Sequence, residues 1–334
     1  MKKLLLSLLL IIALTGCQNN ENKKEEINNL TEVTFVLDWT PNTNHTGVYV
    51  ADALGYYKEQ GLKVNVVQPP ESGTTALVAS GKAQFGVSAQ DTMVSALSSD
   101  DNIDVVAVAT LLQHNTSGII SRKGEGLHTP KGLEGKTYST WDTPIELATI
   151  EHCMKQENAD FSKVNLIPNA ITDEPGALEA MQTDAIWVFY AWGGVLAETR
   201  NFPHDFFYFK DYAKELDFYT PVIVSTNAFL KDNPETAKAF LEATAKGYEY
   251  AIENPEEAAR ILIKGDTTGA LNDSEEFVIE SQKWISSHYK ADESRWGYID
   301  PVRWNSFFNW INENKLIEGE LKLDTGFTND YLAK

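Results

Sequence analysis

Most recognisable signatures of catalysis are missing from this chain of 334 residues. Neither G-x-G-x-x-G nor G-x-x-x-x-G-K-[ST] occurs, which removes the glycine-rich loops that cradle nucleotide phosphates. There is no H-E-x-x-H and no G-x-S-x-G, and the six histidines show no pair at metal-ligand spacing. Cysteine is scarce: Cys17 and Cys153 are too few for a disulfide framework. Basic residues are in deficit, 28 Lys and Arg against 48 Asp and Glu, for a formal charge of −20. A surface of that sign repels nucleic acid and anionic headgroups, and it weighs against an anionic ligand. Long apolar runs are absent as well. The run from Leu4 to Leu14 falls short of the roughly 20 residues that a membrane span needs. These absences favour a binding protein over an enzyme, a metalloprotein or a nucleic-acid partner.

What is present begins at the N-terminus. Lys2 and Lys3 precede that apolar run, and Leu14-Thr15-Gly16-Cys17 closes it with small residues, the layout of a secretory signal. The closing tetrapeptide resembles a bacterial lipobox. It makes residues 1–16 a signal peptide and Cys17 the lipidated first residue of the mature chain; an ordinary signal with an incidental cysteine is the plainer alternative. Residues 17–30 continue as a polar, charged stretch without apolar periodicity and read as a flexible tether. The expected location is extracytoplasmic, lipid-anchored to the bacterial cell membrane. Cleavage removes two lysines and no acid, taking the charge from −20 to −22. Cys153 then has no partner, and its helical context (ATIEHCMKQ) reads as that of a small buried hydrophobe.

From Val33 onward, short apolar runs alternate with amphipathic segments, the pattern of an α/β protein with mostly parallel sheets. Strands are predicted at Val33–Leu37, Lys63–Val67, Ala83–Val87, Val105–Thr110 and Gly118–Ser121. Further strands are predicted at Lys136–Ser139, Val164–Pro168, Ala185–Phe189, Phe206–Phe209 and Pro221–Ser225. Thr143-Pro144-Ile145-Glu146 has a cap, a proline at the first helical position and a capping-box acid. Asn233-Pro234, Asn254-Pro255 and Asp300-Pro301 mark three more helix starts in an almost wholly helical final third. The pattern supports two α/β lobes, residues 31–121 with 221–334 and residues 122–220, the first carrying the helical C-terminal region. Crossings near Ser121–Gly126 and near Phe218–Thr220 would form a two-stranded hinge.

In open α/β sheets, ligands bind beyond the carboxyl ends of strands, and here those ends are rich in aromatics and amides. Trp39 closes the first strand, with Asn42, Asn44 and His45 in the loop behind it. A flat indole with amides beside it suits a heteroaromatic ring that has nitrogens on its edge. A core Trp39 with asparagines that only make turns stays open as the alternative. Gln90 and Asp91 follow the third strand, Trp141 and Asp142 the first strand of the second lobe, and Tyr190 and Trp192 the segment DAIWVFYAWGG. Strand alternation separates Trp187 and Phe189 from Val188 and Tyr190. That places Tyr190 and Trp192 at the mouth and leaves Trp187 in packing. Trp39 and Tyr190 are the candidates to stack on a ring, with Trp141 or Trp192 completing the wall. Asn42, Asn44, Gln90, Asp91 and Asp142 are candidates for hydrogen bonds to its edge. His45 either orients its loop or meets the ligand, and Tyr219, beside the second crossing, is a further candidate. Asp142 precedes a helix, where its charge would repel a second anion; this favours a neutral or cationic ligand.

The segments VTFVLDWTPNTNHTGVYVADALGYYKEQGLKV, GKAQFGVSAQDT and DAIWVFYAWGGV resemble the thiamine-pyrimidine family of solute-binding proteins and its sulfonate-binding-like relatives, over roughly Val33 to Leu230. The resemblance implies the periplasmic-binding-protein type II fold, no cofactor and a monomer. It further implies capture of a thiamine-related pyrimidine, N-formyl-4-amino-5-aminomethyl-2-methylpyrimidine or a close relative, for thiamine salvage. The partners would be an ABC transporter permease and its ATPase. Riboflavin or hydroxymethylpyrimidine are alternative ligands, and a sensory lipoprotein is an alternative role. A fungal branch of the family is an enzyme that makes the pyrimidine from pyridoxal phosphate and its own histidine. The resemblance puts that branch's lysine at Ser88, its histidine at Thr92 and its cysteine cluster at Glu215–Tyr219. Without a lysine amine no Schiff base forms at that place, so a pyrimidine synthase is disfavoured and no enzyme is expected.

Overall fold

The computed structural model describes residues 30–99 and 103–333. The expected signal peptide, Cys17 and all but the last residue of the tether lie outside the described residues. In chain order the strands are β1 Thr31–Val36, β2 Leu62–Val67, β3 Phe85–Ser88, β4 Val106–Thr110 and β5 Ser117–Arg122. They continue with β6 Thr137–Thr140, β7 Asn165–Pro168, β8 Ala185–Phe189, β9 His204–Tyr208 and β10 Val222–Ser225. The helices are α1 Thr46–Ala53, α2 Tyr56–Glu59, α3 Thr74–Ala79, α4 Gln90–Ser98, α5 Pro144–Gln156 and α6 Glu174–Glu179. They continue with α7 Val195–Thr199, α8 Asn227–Asp232, α9 Pro234–Glu253, α10 Pro255–Gly265, α11 Glu275–Ser286 and α12 Pro301–Glu313.

Two five-stranded sheets result, ordered β2-β1-β3-β10-β4 and β7-β6-β8-β5-β9. Each holds three parallel strands followed by one that runs antiparallel to both neighbours, β10 in the first and β5 in the second. The sheets are therefore mixed, and in each the inserted strand is the first one after a chain crossing. β5 belongs to the second sheet, where Gly118 pairs with Val188 and Tyr208. A Cβ on Gly118 would stand 2.0 Å from Phe207 O, so only glycine allows β9 this close. The first crossing thus runs through residues 111–116, upstream of the expected Ser121–Gly126. Six residues between two apolar strands suit a hairpin within one sheet as well as a crossing, and the apolar pattern does not separate them. The second crossing follows β9 and contains the expected Phe218–Thr220.

Helices α9, α10 and α12 begin at the prolines of the three Asx-Pro pairs. Asp300 accepts from Val302 N at 3.0 Å, whereas Asn233 and Asn254 turn back and donate to Phe229 O and Tyr250 O. α9 lies across α1, where a Cβ on Gly247 would come within 1.9 Å of Gly47 O. This contact presses the start of α1, and the loop before it, against the C-terminal helices. Among the described residues no helix is long and apolar enough to cross a membrane.

The two crossings are laced to each other. His114 Nδ1 lies 2.7 Å from Asp217 Oδ2, and Nε2 lies 3.0 Å from Asp292 Oδ1. Asn115 donates its N–H to Asp217 Oδ1 and its carboxamide to Leu216 O, and Arg303 Nε stands 3.6 Å from Asp217 Oδ2. The hydrogen bond to Asp217 raises the His114 pKa above the usual imidazole value, with burial and Arg303 opposing. A raised folded pKa lends stability that is full below the unfolded value of about 6.5 and is lost as pH rises through the folded value. His114→Gln is therefore expected to lower the urea midpoint more at pH 6 than at pH 8.5. Equal losses at both pH values would show that the imidazolium contributes nothing.

Candidate ligand-binding cleft

The loops after β1, β6, β7 and β8 and the starts of β5 and β10 converge on a cleft of about 370 Å³. Its lobe 1 wall is the loop from Asp38 to Asn44, built around His45. The buried imidazole donates from Nε2 to Asp38 Oδ1 at 2.7 Å and accepts at Nδ1 from Asn42 N at 3.2 Å. Asn42 in turn accepts from Asn44 N and donates to Thr40 O. His45 is thereby enclosed within the loop and orients it; it does not reach the cleft. Asn42 lines the cleft with its amide spent on the turn, while the Asn44 carboxamide beside it has no hydrogen-bond partner among the described residues. Trp39 is 61% exposed and also lines the cleft, not the core.

In lobe 2 the start of α5 places Trp141. Glu146, the capping-box acid, is buried and takes hydrogen bonds from Tyr138 OH at 2.5 Å, Thr140 Oγ1 at 3.0 Å, Trp141 N at 3.1 Å and Thr143 N at 3.3 Å. The carboxylate that occupies the positive end of α5 is therefore Glu146. Asp142 is exposed at φ +60°, bonded through its N–H to Thr140 Oγ1, and does not line the cleft. A residue before the cap points outward once the capping acid has filled the end. Trp141, 48% exposed, tilts over Trp187 at 5.7 Å between centroids, and Trp187 rests on Phe209 at 4.1 Å.

Strand alternation fails after Phe189 because β8 runs into a π-helical turn, Tyr190–Gly194. The turn carries Tyr190 away from the cleft: its hydroxyl donates to Glu198 at 2.5 Å and its ring packs on Phe206 and Trp284. Trp192 does line the cleft, with Phe277 at 4.5 Å against its ring. Gln90 and Tyr219 do not. Gln90 is fully buried, donates to Trp304 O and accepts from Tyr219 N, while the Tyr219 hydroxyl accepts from Asp300 N. Together they tie the end of β3 to the second crossing and α12. Asp91 accepts from Thr92 N, is pushed to a higher pKa by burial, and lies off the cleft in the first turn of α4.

Three residues that line the cleft each carry a buried side-chain atom with no partner among the described residues: Glu174 Oε2, Thr116 Oγ1 and Trp187 Nε1. Burial raises the Glu174 pKa. Unpaired buried polar groups are uncommon in native structures and point to function where they cluster in a cleft. None of the three stood among the expected site residues. Asp173-Glu174-Pro175 reads as a capped helix start, yet it follows β7, a strand end equivalent to the other three. Thr116 was hidden by placing the crossing too late; Trp187 packs in the core as expected, 6% exposed and against Phe209, and lines the cleft as well. The lining includes two carboxylates, Asp38 and Glu174, and no Lys, Arg or His. Ser88 is buried and bonded to Thr75 Oγ1 at 3.0 Å. Among the described residues no cluster of His, Cys, Asp or Glu is arranged to hold a metal ion.

This architecture is the two-lobed solute-binding-protein fold. The chain overlays on the periplasmic aliphatic sulphonate-binding protein of Escherichia coli with a TM-score of 0.64 and 12% identity, over 87% of this chain and 90% of that one. It overlays on the periplasmic nitrate-binding protein of Synechocystis PCC 6803 with a TM-score of 0.67 and 14% identity, over 90% and 87%. A family model described as NMT1/THI5 like matches residues 42–258, and the chain belongs to that family. It is 27% identical over 333 residues to a formylaminopyrimidine-binding protein of Halalkalibacterium halodurans, covering 98% of each chain. It is also 29% identical over 244 residues to a 4-amino-5-hydroxymethyl-2-methylpyrimidine phosphate synthase of Saccharomyces cerevisiae, over 68% of this chain and 69% of that one.

Glu146→Gln tests how the Trp141 wall is held. An amide turns a donor toward donors and removes a charged acceptor, a loss of about 1.5–3 kcal/mol. The expected result in urea unfolding is a lower midpoint of that size. An unchanged midpoint would show that the buried acid does not hold the start of α5.

Proposed function

We propose that this protein is the solute-binding component of an ABC importer and that its cleft captures an aminopyrimidine related to thiamine, N-formyl-4-amino-5-aminomethyl-2-methylpyrimidine or a close relative. The observation that carries the reading is the buried, unpaired Glu174 Oε2 in a cleft walled by Trp39, Trp141, Trp187 and Trp192 and free of cations. A carboxylate there accepts from an exocyclic amine. The Trp187 N–H and the Thr116 hydroxyl can donate to ring nitrogens, and the indole faces cover the ring. Sulfonate or phosphate would meet two carboxylates and no countercharge. Family membership and the full-length relative named for a formylaminopyrimidine support the same ligand class. Lipidation at Cys17 would hold the cleft outside the membrane near its permease. The pyrimidine-synthase reading, favoured by the partial relatives, lacks a lysine in the cleft to carry a Schiff base.

Calorimetry on the mature chain tests the ligand. The formylaminopyrimidine is expected to bind and taurine is not. Glu174→Gln should weaken the pyrimidine at least about tenfold, the value of one charged hydrogen bond. Tight binding of taurine or riboflavin, with none of the pyrimidines bound, would refute the ligand while sparing the transport role.

A further inference from the structure

Helix α11 turns one face toward the π-helical turn of lobe 2. Phe277, Ser281 and Trp284 stand at i, i+4 and i+7 on that face. Phe277 packs on Trp192 at 4.5 Å, and Trp284 packs on Tyr190 at 5.2 Å. Between them the fully buried Ser281 donates its hydroxyl to Ala191 O at 2.5 Å. A serine hydroxyl has one proton, so the 2.7 Å contact between Thr43 Oγ1 and Ser281 Oγ is a bond donated by Thr43.

The directed chain Thr43 to Ser281 to Ala191 O ties the loop after β1 to the turn after β8. These are two walls of the cleft, contributed by different lobes. Each end adjoins groups that face the cleft: Thr43 lies between Asn42 and Asn44, and Ala191 directly precedes Trp192. The tie is backed by a buried polar layer. Thr43 O accepts from Tyr289 OH at 2.5 Å, and Thr46 donates its hydroxyl to Gln282 Oε1 at 2.6 Å. Apolar side chains would fill this space at less cost in desolvation. A satisfied buried network instead specifies one arrangement of the elements it joins.

We infer that Ser281, which does not line the cleft, is a positioning residue that sets the Trp192 wall against the Trp39–Asn44 wall before a ligand arrives. The inference rests on reading the cleft as the ligand site. It also makes this contact a pivot: the walls it joins stay together, and closure comes from the side of Trp141 and residues 169–174.

The test uses the mature chain with fluorine-labelled tryptophan, the Trp192 resonance being assigned through Trp192→Phe. Ser281→Ala is expected to shift or broaden the Trp192 resonance in the ligand-free protein. It should also weaken the formylaminopyrimidine about fivefold, the worth of one hydrogen bond. Thr43→Val, isosteric but without the hydroxyl, should do the same, whereas Thr43→Ser should restore both readouts. A lower melting temperature with the Trp192 resonance and the affinity unchanged would overturn the inference, leaving Ser281 a purely structural residue. If the wild-type protein does not bind the pyrimidine, the ligand assignment fails, and the ligand-free resonance still decides the positioning role.

Discussion

The unpaired carboxylate oxygen of Glu174 constrains everything the cleft can accept. A buried polar group without a partner is costly unless something else supplies the bond. The surroundings hold the acid where no side chain among the described residues hydrogen-bonds its Oε2: Glu174 opens α6, and the π-helical turn passes beside it. At Gly193 an added Cβ would stand 2.8 Å from Val188 and 3.5 Å from the Glu174 carboxyl carbon, so the glycine lets that backbone approach. Indoles on several sides line the cleft and offer faces to a ring. On the proposed function, a ligand that fits donates to a carboxylate, is flat, and bears no negative charge.

The fold itself is indifferent to this choice. The same two-lobed architecture occurs in proteins named for sulphonate and for nitrate, and the ligand is decided by the groups placed at the strand ends. Here the helix end best suited to an anion, the start of α5, is already filled by Glu146, which takes hydrogen bonds from two backbone N–H groups and two hydroxyls. Asp38 contributes a second carboxylate, anchored through His45. Acid is built into the cleft twice, from both lobes.

Much of the framework was legible in the sequence because it depends on local rules. Most of the strands arise from apolar runs bounded by turn residues, and α5, α9, α10 and α12 start at the expected prolines. Trp39, Asn44, Trp141 and Trp192 were legible because each lies just past a strand end, the place where an open sheet presents side chains to a ligand. The misses have physical causes of another kind. An amide such as Gln90 or a phenol such as Tyr219 looks the same whether it meets a ligand or bonds a chain crossing; only tertiary contacts separate the two. Tyr190 was misplaced because nothing in the alternation of β8 announces a π-helical turn. Glu174 was passed over because an acid at a helix start satisfies a local rule, and only the lack of a partner for its Oε2 marks it as a candidate. The crossing at 111–116 was missed because two buried strands with a short spacer carry no signal of which sheet each one joins.

A crystal structure of the protein with the formylaminopyrimidine bound tests the central role of Glu174 most directly. The expected arrangement has the exocyclic amine within roughly 2.7–3.2 Å of Glu174 Oε2 and the ring covered by the indoles of the cleft. A bound pyrimidine whose amine points to solvent, or toward Asp38 alone, with Glu174 Oε2 still unpaired, would contradict it.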